Sequence, residues 1–470
     1  MIKNNSLYIL ILILLCNYII TSYVTIPFQI YKKDEPNQYS SLEDYFKYNS
    51  DLQYFGEISI GEYQKPIPIV LSFNDFGFYY ISRGTDMGNI NNIYEPLSSY
   101  SFKYDSKQIV HFRNYGKANR ANDTFLFNNN ELKCRNIKFL YCGENHNKTN
   151  SIMIIGLRLL GDLIRDPDLN LVKQLRQNKY TETYDWSLHF DANNKNKGVL
   201  LIGGEAHKYN PEKFNSSYYF NSVTLSKDIF DVWNLHFDKI YFLSKDNEEI
   251  QITDYMKFTL VHSSNLIKGA TSYEKLIRKH FFDELIAQGK CQMETSKVEE
   301  RVYTCKNTEE IKKELKQRFP PLKIENKAYI KTFELNYEDV FLEKRDKIYF
   351  LIYFPYYMPF SWEVGLPFLQ KYFFNYNYDT NLISFYNNDL AKFTEEEKYQ
   401  GISVGKVILI IFLIIVFSFF GFYLGRKYIL MRRKEKIRAE ELESEFSKSI
   451  NDSDYEPPKD NKNISKYFLI

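Results

Sequence analysis

The chain has 470 residues, 44% of them hydrophobic, with 19 Gly and 14 Pro, enough for two or three folded units with sizeable cores. Its formal net charge is +2 and no large basic block lies in its middle, which argues against a nucleic-acid partner. The 40 Tyr and 38 Phe favour β structure, because aromatic side chains pack well on a pleated surface.

Lys3 followed by the apolar run Leu7 to Ile20 predicts a secretory signal peptide over residues 1–22, with Thr21-Ser22 at the cleavage site. Residues 23–50 are polar and without clear periodicity, as expected of a linker or short pro-segment. From Leu52 onward short strand patterns recur between turn signals. Gln108–Phe112, Thr124–Phe127, Ile137–Tyr141, Met153–Leu157, Trp186–Phe190 and Val199–Ile202 read as strands, as does Ser99–Lys103. Helical patterns are few: Asn170–Gln177, Tyr273–Gln288 and Thr308–Arg318, the last with a capping Thr and Glu309 and Glu310 in its first turn. The spacing predicts an all-β protein of sandwich or barrel type, and no solenoid repeat is visible.

Val407 to Leu424 carries no charge and is long enough to cross a bilayer as a helix. Only Lys406 stands just before it, whereas Arg426, Lys427, Arg432, Arg433, Lys434 and Lys436 follow. The positive-inside rule then predicts a single-pass type I protein of the secretory pathway, spanning at 407–425 with residues 426–470 in the cytosol. Cys16 leaves with the signal peptide; Cys134, Cys142, Cys291 and Cys305 remain, an even set that predicts two disulfides in an oxidising compartment. Of three connectivities the local pairs 134–142 and 291–305 are favoured. Metal binding is the alternative, but no His clusters beside these cysteines at ligand spacing; no metal or cofactor is expected. Asn122, Asn147 and Asn215 head glycosylation sequons. The tail beyond the span is charge-dense and then polar, and Tyr467 to Ile470 has the form of a tyrosine-based sorting signal for trafficking adaptors.

The stretch Tyr54 to Tyr80, YFGEISIGEYQKPIPIVLSFNDFGFYY, alternates at Phe55, Ile58 and Ile60, turns at Gly61, and reads as a second strand from Ile67 to Phe73. It resembles the first hairpin of the pepsin-like aspartic proteases. Further landmarks follow in the family's order. Ile154-Ile155-Gly156-Leu157 is similar to its strand before the first helix. Trp186 to Phe190 with Gly198 to Gly204 is similar to the pair leading to the junction of the lobes. Val232 to Leu235 resembles the strand opening the second lobe, and Leu260 to Ser272 its catalytic strand and loop. Trp362 to Phe368, Tyr372, Phe374, Tyr378-Asp379 and Ile383-Ser384-Phe385 resemble the closing motif. The resemblance covers residues 52–388. It implies an all-β, bilobal acid-protease fold with lobes at 51–205 and 206–395, besides the one C-terminal transmembrane helix. It also implies a disulfide at Cys291 and Cys305.

The family's chemistry needs two aspartates facing each other and sharing one proton, each opening an Asp-Thr-Gly motif. Counting from Tyr54, the first Asp position holds Ser72, followed by Phe73 and Asn74. The second holds Val261, followed by His262 and Ser263. Asp75 substitutes for the first carboxylate only if the hairpin carries an insertion. No Asp or Glu occurs from Tyr255 to Tyr273, so no slip restores the second. The flap position over the cleft falls on His111 or Phe112, with Tyr115-Gly116 in a shifted register. Neither His111 nor His262 has an identifiable Cys or acidic partner by spacing. The resulting expectation is a membrane-anchored, non-enzymatic protein that binds peptide or protein in its cleft or serves as a structural surface protein. The alternative is the active membrane-anchored endopeptidase that the family resemblance implies.

Overall fold

The computed structural model describes residues 23–31, 36–61, 65–82, 99–112, 116–142, 151–159, 167–214, 219–223, 232–243, 248–329, 331–356, 361–386, 428 and 430–445. The predicted signal peptide, the span at 407–425, Asn147, Asn215 and Tyr467 to Ile470 lie outside them. Among the described residues no helix is long and apolar enough to cross a membrane. Residues up to Leu390 form one compact unit. Beyond it, residues 430–445 form an exposed helix.

The protein is mostly β-sheet. Its first half carries β1 (Val24–Tyr31), β2 (Gln53–Ile60), β3 (Lys65–Ser72), β4 (Phe78–Ser82) and β5 (Lys103–Phe112). After these come β6 (Gly116–Phe127), β7 (Leu132–Cys142), β8 (Ser151–Gly156), β9 (Asp185–Phe190) and β10 (Lys197–Ile202). The second half adds β11 (Tyr219–Val223), β12 (Asn234–Leu243), β13 (Glu249–Leu260), β14 (Ile267–Lys268), β15 (Cys291–Thr295), β16 (Arg301–Lys306) and β17 (Leu322–Asn326). It closes with β18 (Lys331–Leu335), β19 (Phe341–Glu343), β20 (Lys347–Phe350), β21 (Ile352–Tyr353), β22 (Ser361–Val364), β23 (Phe374–Asn377) and β24 (Leu382–Tyr386).

The largest sheet runs β11-β24-β23-β9-β10-β1-β2-β3-β8-β4-β7-β6-β5. The halves divided at 205/206 in the sequence therefore share one sheet, where Asn375 to Asn377 of β23 pair with Ser187 to Asp185 of β9. A second sheet runs β18-β17-β12-β13-β22-β14-β21.

One topological unit occurs twice. In the first half a hairpin, β2–β3, leads into a loop and on to β4, and β8 returns between β3 and β4, parallel to one and antiparallel to the other. In the second half the hairpin β12–β13 leads through a loop to β14, and β22 returns between them in the same two senses. Each returning strand ends in an aliphatic-Gly-Leu triplet, Ile155-Gly156-Leu157 and Val364-Gly365-Leu366. These two glycines are required by close approach. A Cβ on Gly156 would lie 2.6 Å from the carbonyl oxygen of Asp75, and one on Gly365 would lie 2.2 Å from that of Ser264. Gly365→Ala is expected to cost about 1–3 kcal/mol, read as a lowered urea midpoint; an unchanged midpoint contradicts the close packing.

The segment expected to be a linker or pro-segment is built into the fold. β1 pairs with β10 on one side and β2 on the other, burying Val24, Ile26, Phe28 and Ile30. Helix α1 (Leu42–Ser50) is capped by Ser41, whose side chain accepts from the Asp44 amide. It packs Tyr45 face to face on Tyr349, centroids 4.7 Å apart. The three predicted helices form: α2 (Leu171–Gln177) with Asn170 as cap, then α3 (Thr271–Ile277), which runs through a π turn (Arg278–Phe282) into α4 (Asp283–Ala287). Helix α5 (Glu309–Arg318) is capped by Thr308. Ser99 to Phe102, expected as strand, precede β5 as a turn.

Two further expectations are corrected. Cys291 and Cys305 are bonded, directly opposite each other on β15 and β16, and closing this loop stabilises by about 3 kcal/mol in the chain-entropy account. Cys134 and Cys142 are not bonded to each other. Both lie on the single strand β7, and eight extended residues hold them roughly 26 Å apart. Burial pushes the Cys134 thiol up to about 12, which leaves it unreactive. Asn122, expected on a surface loop, lies inside β6 between Lys103 and Lys138. Its Oδ1 is buried and the residue as a whole is half-buried.

Candidate functional site

The two loops that follow β3 and β13 meet. Returning strands pin each of them. Leu157 N donates to Ser72 O at 2.8 Å, Gly156 N to Gly77 O at 2.8 Å and Arg158 N to Asp75 O at 2.9 Å. In the second copy Val261 N donates to Val364 O at 2.9 Å and Leu366 N to Ser264 O at 2.7 Å. These bonds use the backbone, so the loops keep their shape whatever side chains they carry.

Ser72 ends β3 opposite Gly156. Its hydroxyl donates to Asp75 Oδ2 at 2.8 Å. In the motif Asp-Thr-Gly-Ser the carboxylate comes first and the hydroxyl fourth. In Ser72-Phe73-Asn74-Asp75 they have changed places and are hydrogen-bonded to each other. Asp75 is thus a loop carboxylate within reach of the Ser72 position, not in it. Val261 occupies the matching point of the second loop and carries no titratable group.

The residues one step further on make the contact between the loops. The Phe73 ring stacks on the His262 imidazole, centroids 4.5 Å apart and planes at 15°. Tyr54 donates its hydroxyl to the His262 carbonyl at 2.7 Å. His262 Nε2 and the Tyr376 hydroxyl are 2.8 Å apart, and Tyr376 stacks on Trp186 at 4.2 Å. Trp233 reaches across to donate to Leu157 O at 3.2 Å. Burial pushes the His262 ring down to about 3 and raises the Tyr54 and Tyr376 hydroxyls well above their ordinary range. All three are neutral at any physiological pH. His262 is a packed, hydrogen-bonded structural residue and offers no proton-transfer group to the loop surface.

Helix α1 supports the second loop. Asn265 N donates to Asn49 O at 2.7 Å, Asn265 Nδ2 to Asn49 Oδ1 at 3.0 Å, and Leu52 N to Ser263 O at 2.8 Å. Asn49 is itself fixed through Nδ2, which donates to Tyr45 O and Tyr39 Oη. These supports were not foreseen from the sequence, where residues 23–50 gave no periodic signal. The pairing of Phe73 with His262 had one available clue, since they follow Ser72 and Val261, the residues at which the resemblance expects Asp.

The flap positions His111 and Phe112 are the last two residues of β5, paired with Lys117 and Gly116 of β6. They belong to a hairpin whose tip, including Tyr115, lies outside the described residues. Among the described residues no three His, Cys, Asp or Glu side chains gather as metal ligands. Searches for related proteins find no matching family profile and no match among curated proteins.

The floor formed by Ser72, Asp75 and Val261 presents one carboxylate. It can accept hydrogen bonds from a ligand's N–H or O–H groups. It has no second carboxyl with which to share a proton, so one group cannot serve as base while its partner polarises a carbonyl.

Proposed function

We propose that this chain is a catalytically degenerate relative of the pepsin-like aspartic proteases, a membrane-anchored glycoprotein of the secretory pathway that binds peptide or protein without cutting it. One observation carries the reading. Two copies of the same hairpin-loop-returning-strand unit face each other at the place where the resemblance puts the dyad, and between them they supply Asp75 alone. The anchor, the positive-inside charges and the signal sequence support the location. Extended-peptide binding draws on backbone hydrogen bonds and side-chain pockets that do not depend on a dyad. The runner-up is an active endopeptidase. The hydrogen bond between Ser72 and Asp75 favours it to the extent that a carboxylate stands on the floor.

The test is capture and recovery. Full-length protein in detergent is incubated with a randomised peptide library at neutral pH, and retained peptides are eluted and read by mass spectrometry. Intact retained peptides that share side-chain preferences at alternate positions are expected. Recovery of new termini would support the endopeptidase instead, and no retention above a denatured control would remove peptide binding.

A further inference from the structure

Away from the two loops, the outer face of β1, β2 and β3 and the turn between β6 and β7 enclose a groove of about 980 Å³. That volume is at the upper end of small-ligand sites. We propose that this groove is a binding site for a neutral oligosaccharide.

The shape comes from the sheet. β1, β2 and β3 are interior strands with ladder partners on both sides, so an extended peptide cannot add to them as a further strand. Pro66 and Pro68 line the groove on the part of β3 before its pairing with β8 begins at Ile69, where a missing N–H costs nothing. The far wall is a left-handed turn: Asn128, Asn129 and Asn130 have φ of 53°, 55° and 73°. Three such residues in a row are uncommon outside glycine, and strained backbone of this kind gathers at ligand clamps. Asn128 holds the turn to β1, its Oδ1 accepting from Thr25 N at 2.6 Å and Thr25 Oγ1 at 2.9 Å. Asn129 and Asn130 are left exposed at the groove's edge.

The lining selects the ligand. Tyr31, 57% exposed, meets Phe55 edge to face at 5.7 Å, giving an aromatic corner for the C–H face of a ring. The amides of Gln29 and Gln53 stand beside it and those of Asn129 and Asn130 on the far wall, with no hydrogen bond to protein among the described residues. A primary amide offers a donor and an acceptor on one planar group, which matches hydroxyls that both donate and accept. Among the described residues Glu57 and Lys197 are the groove's charged side chains, one of each sign, so the described lining does not favour a phosphate, a sulfate or an acidic chain. Among the described residues only two aromatic side chains, Tyr31 and Phe55, form its open corner, fewer than the parallel ridges that seat polyproline helices.

The experiment uses full-length protein in a sugar-free detergent and a panel of mannose-, galactose- and N-acetylglucosamine-terminated neutral oligosaccharides beside sialylated and sulfated counterparts and a proline-rich peptide. Saturable binding of at least one neutral member is expected, insensitive to salt. Tyr31→Ala and Gln53→Ala, both exposed positions, are each expected to weaken it about tenfold at unchanged melting temperature. No neutral member bound, preference for the charged sugars, binding of the proline-rich peptide alone, or affinity unmoved by both substitutions would each overturn the assignment.

Discussion

A chain that begins at Asp51 is expected not to fold. Removing residues 23–50 takes β1 out of the middle of the largest sheet and leaves β10 and β2 each with an open edge. Four side chains, Val24, Ile26, Phe28 and Ile30, are 0–4% exposed there, each contributing about 1.5–3 kcal/mol by burial. That sum alone is comparable with the whole stability of an ordinary domain, about 5–15 kcal/mol. The loss of α1 adds to it, because Tyr45 leaves its stack on Tyr349 and the Asn265 backbone N–H loses its acceptor on Asn49. Circular dichroism and limited proteolysis of the shortened and full chains decide the matter. A protease-resistant, cooperatively melting product from Asp51 onward would show that β1 and α1 are dispensable, as a removable pro-segment should be. A cut confined to residues 32–35, which join β1 to the stretch before α1, tests the same point more gently: the severed strand is expected to stay bound.

The second large effect is acid lability. An imidazole has an ordinary pKa of about 6.5, and burial pushes that of folded His262 down to about 3. As pH falls below 6.5 the unfolded chain takes a proton that the folded one refuses, down to about 3. The contribution is therefore complete above 6.5 and shrinks by about 1.4 kcal/mol per pH unit through that window. His189, also held at about 3 by burial and then by the charge of Lys213, acts in the same direction. Asp185 and Glu300, whose carboxyls burial raises, oppose it nearer the carboxylate range. Urea midpoints between pH 7 and pH 5 are expected to fall steadily, and His262→Phe is expected to flatten the slope at the expense of the Tyr376 hydroxyl's partner. Equal midpoints at the two pH values would contradict the burial of a neutral ring.

Much of the first loop was legible because its signals are local. The alternation from Phe55 to Ile60, the turn at Gly61 and the triplet Ile155-Gly156-Leu157 are readable one segment at a time, as are the Asn170 and Thr308 caps. In β1 the alternation that puts Val24, Ile26, Phe28 and Ile30 on one face is obscured in the sequence, because Pro27 interrupts it and a polar run follows Tyr31. Proline is tolerated there because pairing with β2 starts only at Phe28. The duplication escaped because β14 is two residues long and its partner β4 is five, so the halves align in topology and not in letters. The expected pairing of Cys134 with Cys142 failed for a related reason, while that of Cys291 with Cys305 held. Eight residues suit a turn or a strand equally, and only the ladder of β7 with β6 shows that Cys134 and Cys142 lie along one extended segment.

The contact of Phe73 with His262 bears on the two loop positions where the resemblance expects Asp and the chain has Ser72 and Val261. Small hydroxyl side chains in place of Phe73 and His262 would leave room between the loops, whereas two stacked rings fill it. Tyr54, Trp186 and Tyr376 extend the filling into the shared sheet. Restoring one aspartate at Ser72 or Val261 would put a carboxylate above a packed aromatic floor, which is a different environment from a polar one.

The most direct measurement is digestion of the same randomised peptide library by full-length protein and by an Asp75→Ala variant, followed by mass spectrometry from about pH 4 to pH 7.5, with folding checked at each pH by tryptophan fluorescence. No new termini at any pH where the protein remains folded is the predicted result. Cleavage by the unsubstituted protein that disappears in Asp75→Ala would contradict the account, and would make the inverted Ser72–Asp75 pair the working part of a protease.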